Sequence, residues 1–191
     1  MADYKAAAAK LFGPDAPKFL ELYPASSDAE VHEMGATASR EGMVERGARN
    51  WAIEQSKYGS APVYLFMYSR VHPYITGARI ADQDTATIGA YHTSDVPYWF
   101  GTQDALNLMH PTRNWAQLDR DLSNKMMDTL FAFANTGNPS TAVVKWPQWK
   151  PQDEQLVEFA ETIKVEKMDT KRLDFVAAHP INQGAPRAAR D

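Results

Sequence analysis

The segment Ala61–Tyr68, with the sequence APVYLFMY, narrows the possible folds of this chain more than any other segment. It is a nearly continuous run of apolar residues, rich in aromatic and β-branched side chains, and Gly59-Ser60 and Ser69-Arg70 bound it. Apolar and polar residues do not alternate in it, so a strand here would be apolar on both faces. Strands of this kind occur in sheets that helices cover on both sides. The segment therefore predicts a buried strand of an α/β fold.

Helix-forming segments precede this strand. Tyr4–Leu11 and Ala16–Leu22 are predicted as two short helices, because a Gly-Pro pair separates them. Ser27–Glu30 has the pattern of a capping box, in which the serine side chain and the glutamate satisfy each other's free backbone amides. A third helix is expected to begin there, to break near Gly42, and to resume until Gly59.

The residues after the strand predict a long loop and then a long helix. Val71–Ile88 has no clear periodicity and is expected to be a loop. Asn114, with Gln117 three residues later, is expected to cap the helix, and Gly137 to end it. The predicted inward stripe of this helix consists of Trp115, Leu118, Leu122, Met126, Leu130 and Phe133.

Two short strands are predicted near the C-terminal end. Gln155–Ala160 is mostly apolar, whereas Thr162–Met168 alternates between apolar and charged residues. The alternating strand is expected to be half exposed and to lie at a sheet edge. Together with the preceding helices, these strands indicate an α/β layer arrangement.

Composition and motifs exclude several classes of function. The 191 residues carry 20 Lys and Arg against 24 Asp and Glu, a net charge of −4, so no nucleic acid or anionic membrane partner is expected. The chain has no cysteine, and it lacks phosphate-binding, dinucleotide-binding and H-x-x-x-H motifs, so neither a cofactor nor a metal is predicted. No apolar stretch of about 18 residues and no signal-peptide pattern is present, and the localisation is left unassigned.

The segment GAYHTSDVPYWFG, residues 89–101, places one histidine in a glycine-bounded aromatic loop. Histidine exchanges protons near neutral pH, so His92 is a candidate acid/base residue. The other histidines suggest no chemistry. His32 is expected on a helix surface, and His72, His110 and His179 each precede a proline and are expected to mark turns or element ends.

Four segments in the same order resemble the type-B carboxylesterase family. GAYHTSDVPYWFG is similar to the histidine loop of that family, and APVYLFMYSR to its penultimate core strand. FAFANTGNPS is similar to the family's Phe-Ala-x-Thr-Gly-Asn-Pro helix end, and Trp146–Trp149 to the Trp-Pro-x-aromatic continuation. The resemblance implies the C-terminal part of an α/β-hydrolase fold, with helices and the last strands of its central sheet. It covers almost the whole chain.

By this resemblance, His92 is the general base of a Ser-His-Glu triad. Gly89 would permit the backbone turn of the supporting loop, and Thr93 and Ser94 would cap the short turn that follows. Asp95 is a rival candidate for the acid of the triad, but the family's acid is a glutamate upstream of the histidine. We therefore expect Asp95 to bond loop amides. Ser94 is a weak candidate for the nucleophile, because it lacks the strand-turn-helix elbow that exposes a catalytic serine.

The family's serine elbow G-x-S-x-G, its glycine-rich oxyanion loop and its triad glutamate are absent from these 191 residues. We therefore expect residues 1–181 to be the C-terminal segment of a carboxylesterase-type domain and residues 182–191 to be a disordered tail. The implied function of the complete domain is hydrolysis of a small carboxylic ester. A noncatalytic, cholinesterase-like interaction module and an inactive fragment are the alternatives. The expected partners are the missing N-terminal part of the esterase, or a second copy that pairs through an exposed strand edge.

Overall fold

The computed structural model describes residues 1–80 and 83–179. These residues form seven α-helices and five β-strands, which in chain order are α1 (Ala2–Phe12), α2 (Ala16–Leu22), α3 (Asp28–Arg40), α4 (Arg46–Tyr58), β1 (Phe66–Tyr68), β2 (Arg79–Ile80), β3 (Gln83–Asp84), α5 (Val96–Trp99), α6 (Gln117–Thr136), β4 (Gln155–Phe159), β5 (Ile163–Lys167) and α7 (Thr170–Ala178). The chain divides into two compact units. Among the described residues, the first contains Met1–Glu54 and residues 169–179, and the second contains residues 55–80 and 83–168.

The first unit is a helical cluster around aromatic side chains. The rings of Phe12 on α1 and Phe19 on α2 stack with their centroids 4.5 Å apart, and Phe175 on α7 lies 5.4 Å from Phe12. Helices α1 and α2 therefore form where the sequence predicts them. Helix α7 is not in the sequence prediction, although Asp169 caps it by accepting a bond from the Arg172 amide.

Helix α3 begins as the sequence predicts. The Ser27 hydroxyl accepts a hydrogen bond from the Glu30 amide at 3.2 Å. The Glu30 carboxylate reaches back one residue further than a capping box requires, and it accepts a bond from the Ser26 amide at 2.6 Å. The expectation that Glu30 reaches the Ser27 amide is therefore wrong in its last detail.

The expected helix break near Gly42 is wrong. The chain instead continues from α3 into α4 through a π-helical turn at Glu41–Glu45, which the Arg46 amide closes by donating to the Glu41 carbonyl. A π turn accommodates one extra residue without ending the helix. Its first side chain, Glu41, is buried and accepts a hydrogen bond from the Tyr23 hydroxyl at 2.6 Å. Arg172 forms an ion pair with the same carboxylate at 2.9 Å, and this pairing fixes the turn.

The second unit is built on a three-stranded sheet in the order β1-β4-β5. Strand β1 is parallel to β4, with Phe66 opposite Val157, and β5 is antiparallel to β4. Strands β4 and β5 confirm the two predicted C-terminal strands, and β5 lies at an edge as expected. Val157 and Phe159 of β4 are fully buried and form the centre of the core of this unit.

The expectation for Ala61–Tyr68 is wrong in two respects. Only its last three residues form a strand, and no residue of the segment is fully buried, with Phe66 43% exposed. The reason is the pairing. Within the residues that the structure describes, β1 has a neighbouring strand on one edge only.

Two further expectations in this unit need correction. The segment Val71–Ile88 contains the short β2–β3 hairpin and an isolated bridge between Tyr74 and Arg113, so it is not wholly irregular. Helix α6 begins at Gln117 rather than near Asn114. The Asp119 carboxylate caps this start by accepting a hydrogen bond from the Ala116 amide at 3.0 Å.

Only part of the predicted inward stripe of α6 is buried. Leu122 and Met126 lie in the core, whereas Leu118, Leu130 and Phe133 are 39%, 40% and 46% exposed. Gly137 ends the helix in the left-handed conformation, as predicted. The predicted disordered tail, residues 182–191, lies outside the described residues. No helix among those described is both long and apolar enough to cross a membrane.

Candidate functional site

His92 lies in a tight turn at Tyr91–Asp95, which we call the His92 turn. The turn comes after β1 and the long segment Val71–Ile88, and it leads directly into α5. Gly89, two residues before it, has a φ of +63°, which glycine adopts without strain. The backbone freedom expected at Gly89 is therefore used. Thr93, within the turn, has a φ of +73°, a conformation that costs energy for a residue with a side chain.

Backbone bonds close the His92 turn. The Ser94 amide donates to the Tyr91 carbonyl at 3.0 Å, and the Val96 amide donates to the Thr93 carbonyl at 3.1 Å. The expectation that the side chains of Thr93 and Ser94 cap the short turn that follows is wrong, because that turn is the start of α5, which has no side-chain cap. The Ser94 side chain is buried, and its hydroxyl has no hydrogen-bond partner within residues 1–80 and 83–179.

Asp95 bonds neither loop amides nor His92. Its carboxylate accepts a hydrogen bond from the indole Nε1 of Trp99 at 3.0 Å. The expectation of bonds to loop amides is therefore wrong. The Asp95 carboxylate instead bonds a side chain four residues later, that of Trp99. The bond holds the Trp99 ring against the start of α5.

The side chain of His92 is exposed to solvent. In the part of the chain that the structure describes, its imidazole has no hydrogen bond or ion pair. Both ring nitrogens are therefore available to other groups. A histidine in this situation can accept a proton from one reacting group and deliver it to another.

A second histidine lies buried beneath the turn. The Nε2 atom of His72 is 2.8 Å from the Ser94 carbonyl oxygen, and its Nδ1 atom accepts a hydrogen bond from Nε of Arg113 at 3.2 Å. Only 3% of His72 is exposed. Burial lowers the pKa of the His72 imidazole below its ordinary value, and the positive charge of Arg113 lowers it further. The bond to the Ser94 carbonyl opposes this shift without reversing it.

Aromatic rings and a few charges surround His72. The charged groups that act on the imidazole are Arg113, Arg70 and Asp119. The rings in contact with the imidazole, with centroids 5.0 to 5.9 Å away, belong to Tyr74, Tyr91, Tyr98 and Trp115. The imidazole is thus enclosed by ring faces and edges, and its polar atoms have two defined partners.

Asp119 on α6 joins three elements below the site. It accepts hydrogen bonds from the Tyr98 hydroxyl at 2.7 Å, from Nε of Arg70 at 2.9 Å and from the Ala116 amide at 3.0 Å. Burial alone raises the pKa of this carboxyl, but the bonds from Arg70 and Tyr98 outweigh burial and hold it below its usual range. Asp119 is therefore a buried anion that anchors α5 and the segment just after β1.

The sequence gives weak signals for these supporting residues. His72 precedes a proline and was expected only to mark a turn, and Arg113 drew no expectation at all. Asp119 lies next to Leu118 in an otherwise apolar helix face, and a charge at such a position is the one local sign of a buried pair. Their partners are distant in sequence, so composition and spacing do not identify them.

An apolar cavity of about 350 Å³ lies beside β1, and we call it the β1 groove. It is lined by Tyr64, Phe66, Trp99, Phe100, Thr129, Leu130, Phe133, Pro139 and Trp146. Two of the exposed residues of the α6 stripe, Leu130 and Phe133, are among them. Across residues 1–80 and 83–179, no cluster of three or more His, Cys, Asp or Glu side chains is arranged to hold a metal ion.

Comparison with known proteins gives consistent matches. The sequence profile described as the carboxylesterase family matches residues 22–176. The para-nitrobenzyl esterase of Bacillus subtilis (strain 168) is 29% identical over 153 residues, which cover 80% of this chain and 28% of that protein. The chain therefore spans less than a third of the length of this relative.

Solved structures agree with this match. A thermophilic para-nitrobenzyl esterase superimposes with a TM-score of 0.59 at 26% identity, covering 92% of this chain and 33% of the other. An esterase from the anaerobe Clostridium hathewayi, reported to hydrolyse aliphatic aromatic polyesters, superimposes with a TM-score of 0.60 over 93% of this chain and 32% of the other. Its identity is 19%, so it supports the fold alone. The helices and small mixed sheet are thus part of an α/β-hydrolase fold, as the sequence predicts.

Proposed function

This chain belongs to the carboxylesterase family, and on that premise we propose that His92 is the general base of a Ser-His-Glu triad in a complete domain that hydrolyses carboxylic esters. Residues 1–181 are, in this proposal, the C-terminal segment of that domain. The serine and the glutamate come from the remainder of the domain. The substrate is a small carboxylic ester, and no cofactor takes part.

The observation that carries the proposal is the state of the His92 side chain. It is exposed and has no polar partner among the described residues, while the turn that bears it is closed by backbone bonds and anchored by the buried His72. A surface histidine without a role has no need of such an anchored backbone. A general base does need one, because proton transfer requires the imidazole to lie within hydrogen-bond reach of the reacting hydroxyl.

The chemistry follows from the two ring nitrogens. One nitrogen of His92 takes the proton of the serine hydroxyl as the serine oxygen attacks the ester carbonyl. The imidazolium then gives that proton to the departing alcohol, which leaves an acyl-serine. In the second half of the reaction the imidazole activates water in the same way, and the acid is released. The glutamate bonds the other nitrogen and stabilises the imidazolium. Gly89, Thr93, Ser94 and Asp95 support the turn through the backbone.

The test is a chimaera with the Bacillus subtilis para-nitrobenzyl esterase, in which this chain replaces the segment that it matches. We expect the chimaera to hydrolyse short-chain p-nitrophenyl esters. The variant His92→Ala should lower kcat by at least about a thousandfold, because a triad without its base has no route for the serine proton. The control is His110→Ala, since His110 is an exposed histidine of the same compact unit. It should leave kcat within about twofold.

Two outcomes would contradict the proposal. An active chimaera whose kcat survives His92→Ala excludes His92 as the base. Equal losses in the two histidine variants indicate a general effect on folding. The 191-residue chain by itself should show no turnover above background, because it has no serine elbow. Turnover by the chain alone that His92→Ala abolishes would mean that a different serine is the nucleophile.

A further inference from the structure

The hydrogen bonds of His72 define its protonation state. The guanidinium of Arg113 can only donate, so Nδ1 of His72 must be the acceptor in their 3.2 Å contact. The proton of the neutral ring is then on Nε2, which donates to the Ser94 carbonyl at 2.8 Å. The two contacts therefore select one tautomer of an uncharged imidazole. A doubly protonated ring would direct an N–H toward the guanidinium, where two donors and two positive charges repel each other.

The same pair of residues holds both sides of His92. His72 bonds the carbonyl of Ser94, two residues after His92. Arg113 donates to the hydroxyl of Tyr91, the residue immediately before His92, at 3.2 Å. The turn that carries the catalytic candidate is thus held by one buried pair, through the Tyr91 side chain before His92 and through the Ser94 carbonyl after it.

The surroundings of the pair leave it little freedom to move. Arg113 is itself buried and donates a further bond to the Thr112 hydroxyl at 2.8 Å. The ring of Trp115 meets the His72 imidazole edge-on, with the centroids 5.0 Å apart. An imidazole held in this way transmits its position to the Ser94 carbonyl, because a buried carbonyl that loses its donor is costly to leave unpaired.

We propose that His72 is the positioning residue of the His92 turn, and that its neutral imidazole sets the direction in which the His92 side chain leaves the turn by joining the Ser94 carbonyl to the Arg113 guanidinium. The proposal rests on the role of His92 as general base. It adds that the base depends on a second, buried histidine, which touches no substrate.

Two substitutions separate the two bonds of His72. In His72→Gln, the terminal amide nitrogen reaches the former place of Nε2 and can still donate to the Ser94 carbonyl. In His72→Asn, the shorter side chain places its oxygen near the former Nδ1, where it can accept from Arg113 but cannot reach Ser94. The two variants lose similar ring contacts. A role in packing alone would therefore affect them equally.

The experiment is amide hydrogen exchange, followed by NMR on the 191-residue chain at about pH 7. In His72→Asn, we expect the amides of Ser94 and Val96 to exchange at least about tenfold faster than in the wild type, and in His72→Gln within about threefold of it. Amides in the middle of α6 should respond alike in both variants. The ¹⁵N chemical shifts of wild-type His72 should show the proton on Nε2.

Several results would overturn the proposal. Equal acceleration in the two variants, or none in either, means that the Ser94 bond does not order the turn. Should His72→Asn fail to fold, the ¹⁵N shifts decide, since a proton on Nδ1 or on both nitrogens at about pH 7 is incompatible with the proposed bonds.

Activity provides an independent readout. In the esterase chimaera, His72→Asn should lower kcat by about tenfold with little change in KM, and His72→Gln should restore most of it. A chimaera with no activity at all counts against the role of His92, while the exchange data still test His72. An active chimaera whose kcat is unchanged by His72→Asn counts against His72 alone.

Discussion

The two edges of the three-stranded sheet differ in chemistry. Strand β5 is lined by charges, and its Lys164 and Lys167 form ion pairs with Glu158 at 3.4 Å and with Asp153 at 2.6 Å. Strand β1 has no charged residue, and its Phe66 is 43% exposed. Natural edge strands carry charges, lysine above all, which prevent pairing with other chains. By this criterion β5 is a protected edge, and β1 is an edge suited to accept another strand.

The backbone of β1 supports this distinction. The Leu65 carbonyl accepts a bond from the Val157 amide at 3.1 Å, and the Ser69 amide donates to the Phe159 carbonyl at 3.0 Å. Peptide groups alternate in direction along a strand, so those of the even-numbered residues 64, 66 and 68 point away from β4. The β1 groove lies beside this edge. Within residues 1–80 and 83–179 no strand pairs with these peptide groups, and an aromatic cavity next to such an edge is the arrangement that strand addition uses.

The two edges also differ in what lies next to them in the chain. Strand β1 leads within four residues to Arg70 and His72, and through them to Asp119 and the His92 turn. The ion pairs of β5 lie at the surface. A disturbance at the β1 side should therefore reach the candidate site, whereas one at the β5 side should not.

The largest expected effect is that of Asp119→Ala. The substitution leaves Arg70 and the Tyr98 hydroxyl without their buried acceptor, and removing one partner of a buried pair typically costs about 3–5 kcal/mol. We expect the free energy of unfolding, measured by urea denaturation, to fall by that amount. The control on the β5 side is Asp153→Ala, whose exposed pair with Lys167 should contribute less than about 1 kcal/mol. Equal losses of unfolding free energy in Asp119→Ala and Asp153→Ala would contradict the expected difference between the β1 side and the β5 side.

The second effect concerns association. The isolated chain should form dimers or larger species through the β1 edge, because no described strand pairs with that edge and its segment is aromatic and uncharged. Phe66→Lys should weaken this association by about tenfold or more, as seen by light scattering after size-exclusion chromatography over a range of concentrations. Val165→Lys places the same charge on β5, where Val165 is 44% exposed, and should change little. A wild-type chain that is monomeric at all concentrations, with a sharp thermal transition, would contradict the prediction.

The third effect is on the pH dependence of stability. Burial lowers the pKa of His72 below its ordinary value of 6.5, so the unfolded chain binds the proton more readily than the folded chain. Stability should therefore fall as the pH falls from 6.5 toward the lower pKa of the folded state. The corresponding loss from Asp119 lies below 3.8, because its carboxyl has a lowered pKa. The loss due to His72 therefore begins at a higher pH than the loss due to Asp119.

The measurement compares thermal midpoints of the wild type and of His72→Gln at about pH 7 and about pH 5.5. The wild type should lose more stability between these two conditions than the variant. Glu41 acts in the opposite direction, because burial raises its pKa above 4.5, but it is present in both proteins and cancels in the difference. Identical pH profiles would show that His72 does not titrate in a buried site.

The smallest expected effect on stability is that of His92→Ala. The side chain is exposed and has no polar partner among the described residues, so the free energy of unfolding should change by less than about 0.5 kcal/mol. The same substitution should lower the kcat of the chimaera by at least about a thousandfold. A loss of stability comparable to that of Asp119→Ala would mean that His92 is a structural residue, and urea denaturation of the two variants side by side decides this.

The sequence predicted the elements whose pattern is local. Helices α1 and α2 and strands β4 and β5 follow from periodicity and punctuation within short windows. The position of His92 in a loop followed from the glycine residues that bound residues 89–101. The exposure of β1 could not be predicted in this way, because an apolar segment has the same sequence whether one or both of its edges are paired.

The supporting residues of the site were missed for a related reason. The bond from Arg113 to His72 joins residues 41 positions apart, and that from His72 to the Ser94 carbonyl spans 22 positions. No local pattern encodes contacts at these separations. The π-helical turn was missed because glycine weakens a helix on average, whereas here the buried partners of Glu41 stabilise the continuous helix.

The positive φ of Thr93 bears on how far the candidate site can be transplanted. A left-handed backbone conformation is unfavourable for a β-branched residue, so the surrounding contacts must offset its cost. A short peptide copied from residues 89–101 lacks those contacts and should relax to other conformations. Grafting the loop into another scaffold would therefore transfer the imidazole without its orientation, unless the counterparts of His72 and Arg113 were transferred with it. A graft that keeps the orientation of His92 must therefore include at least residues 89–101 together with His72 and Arg113.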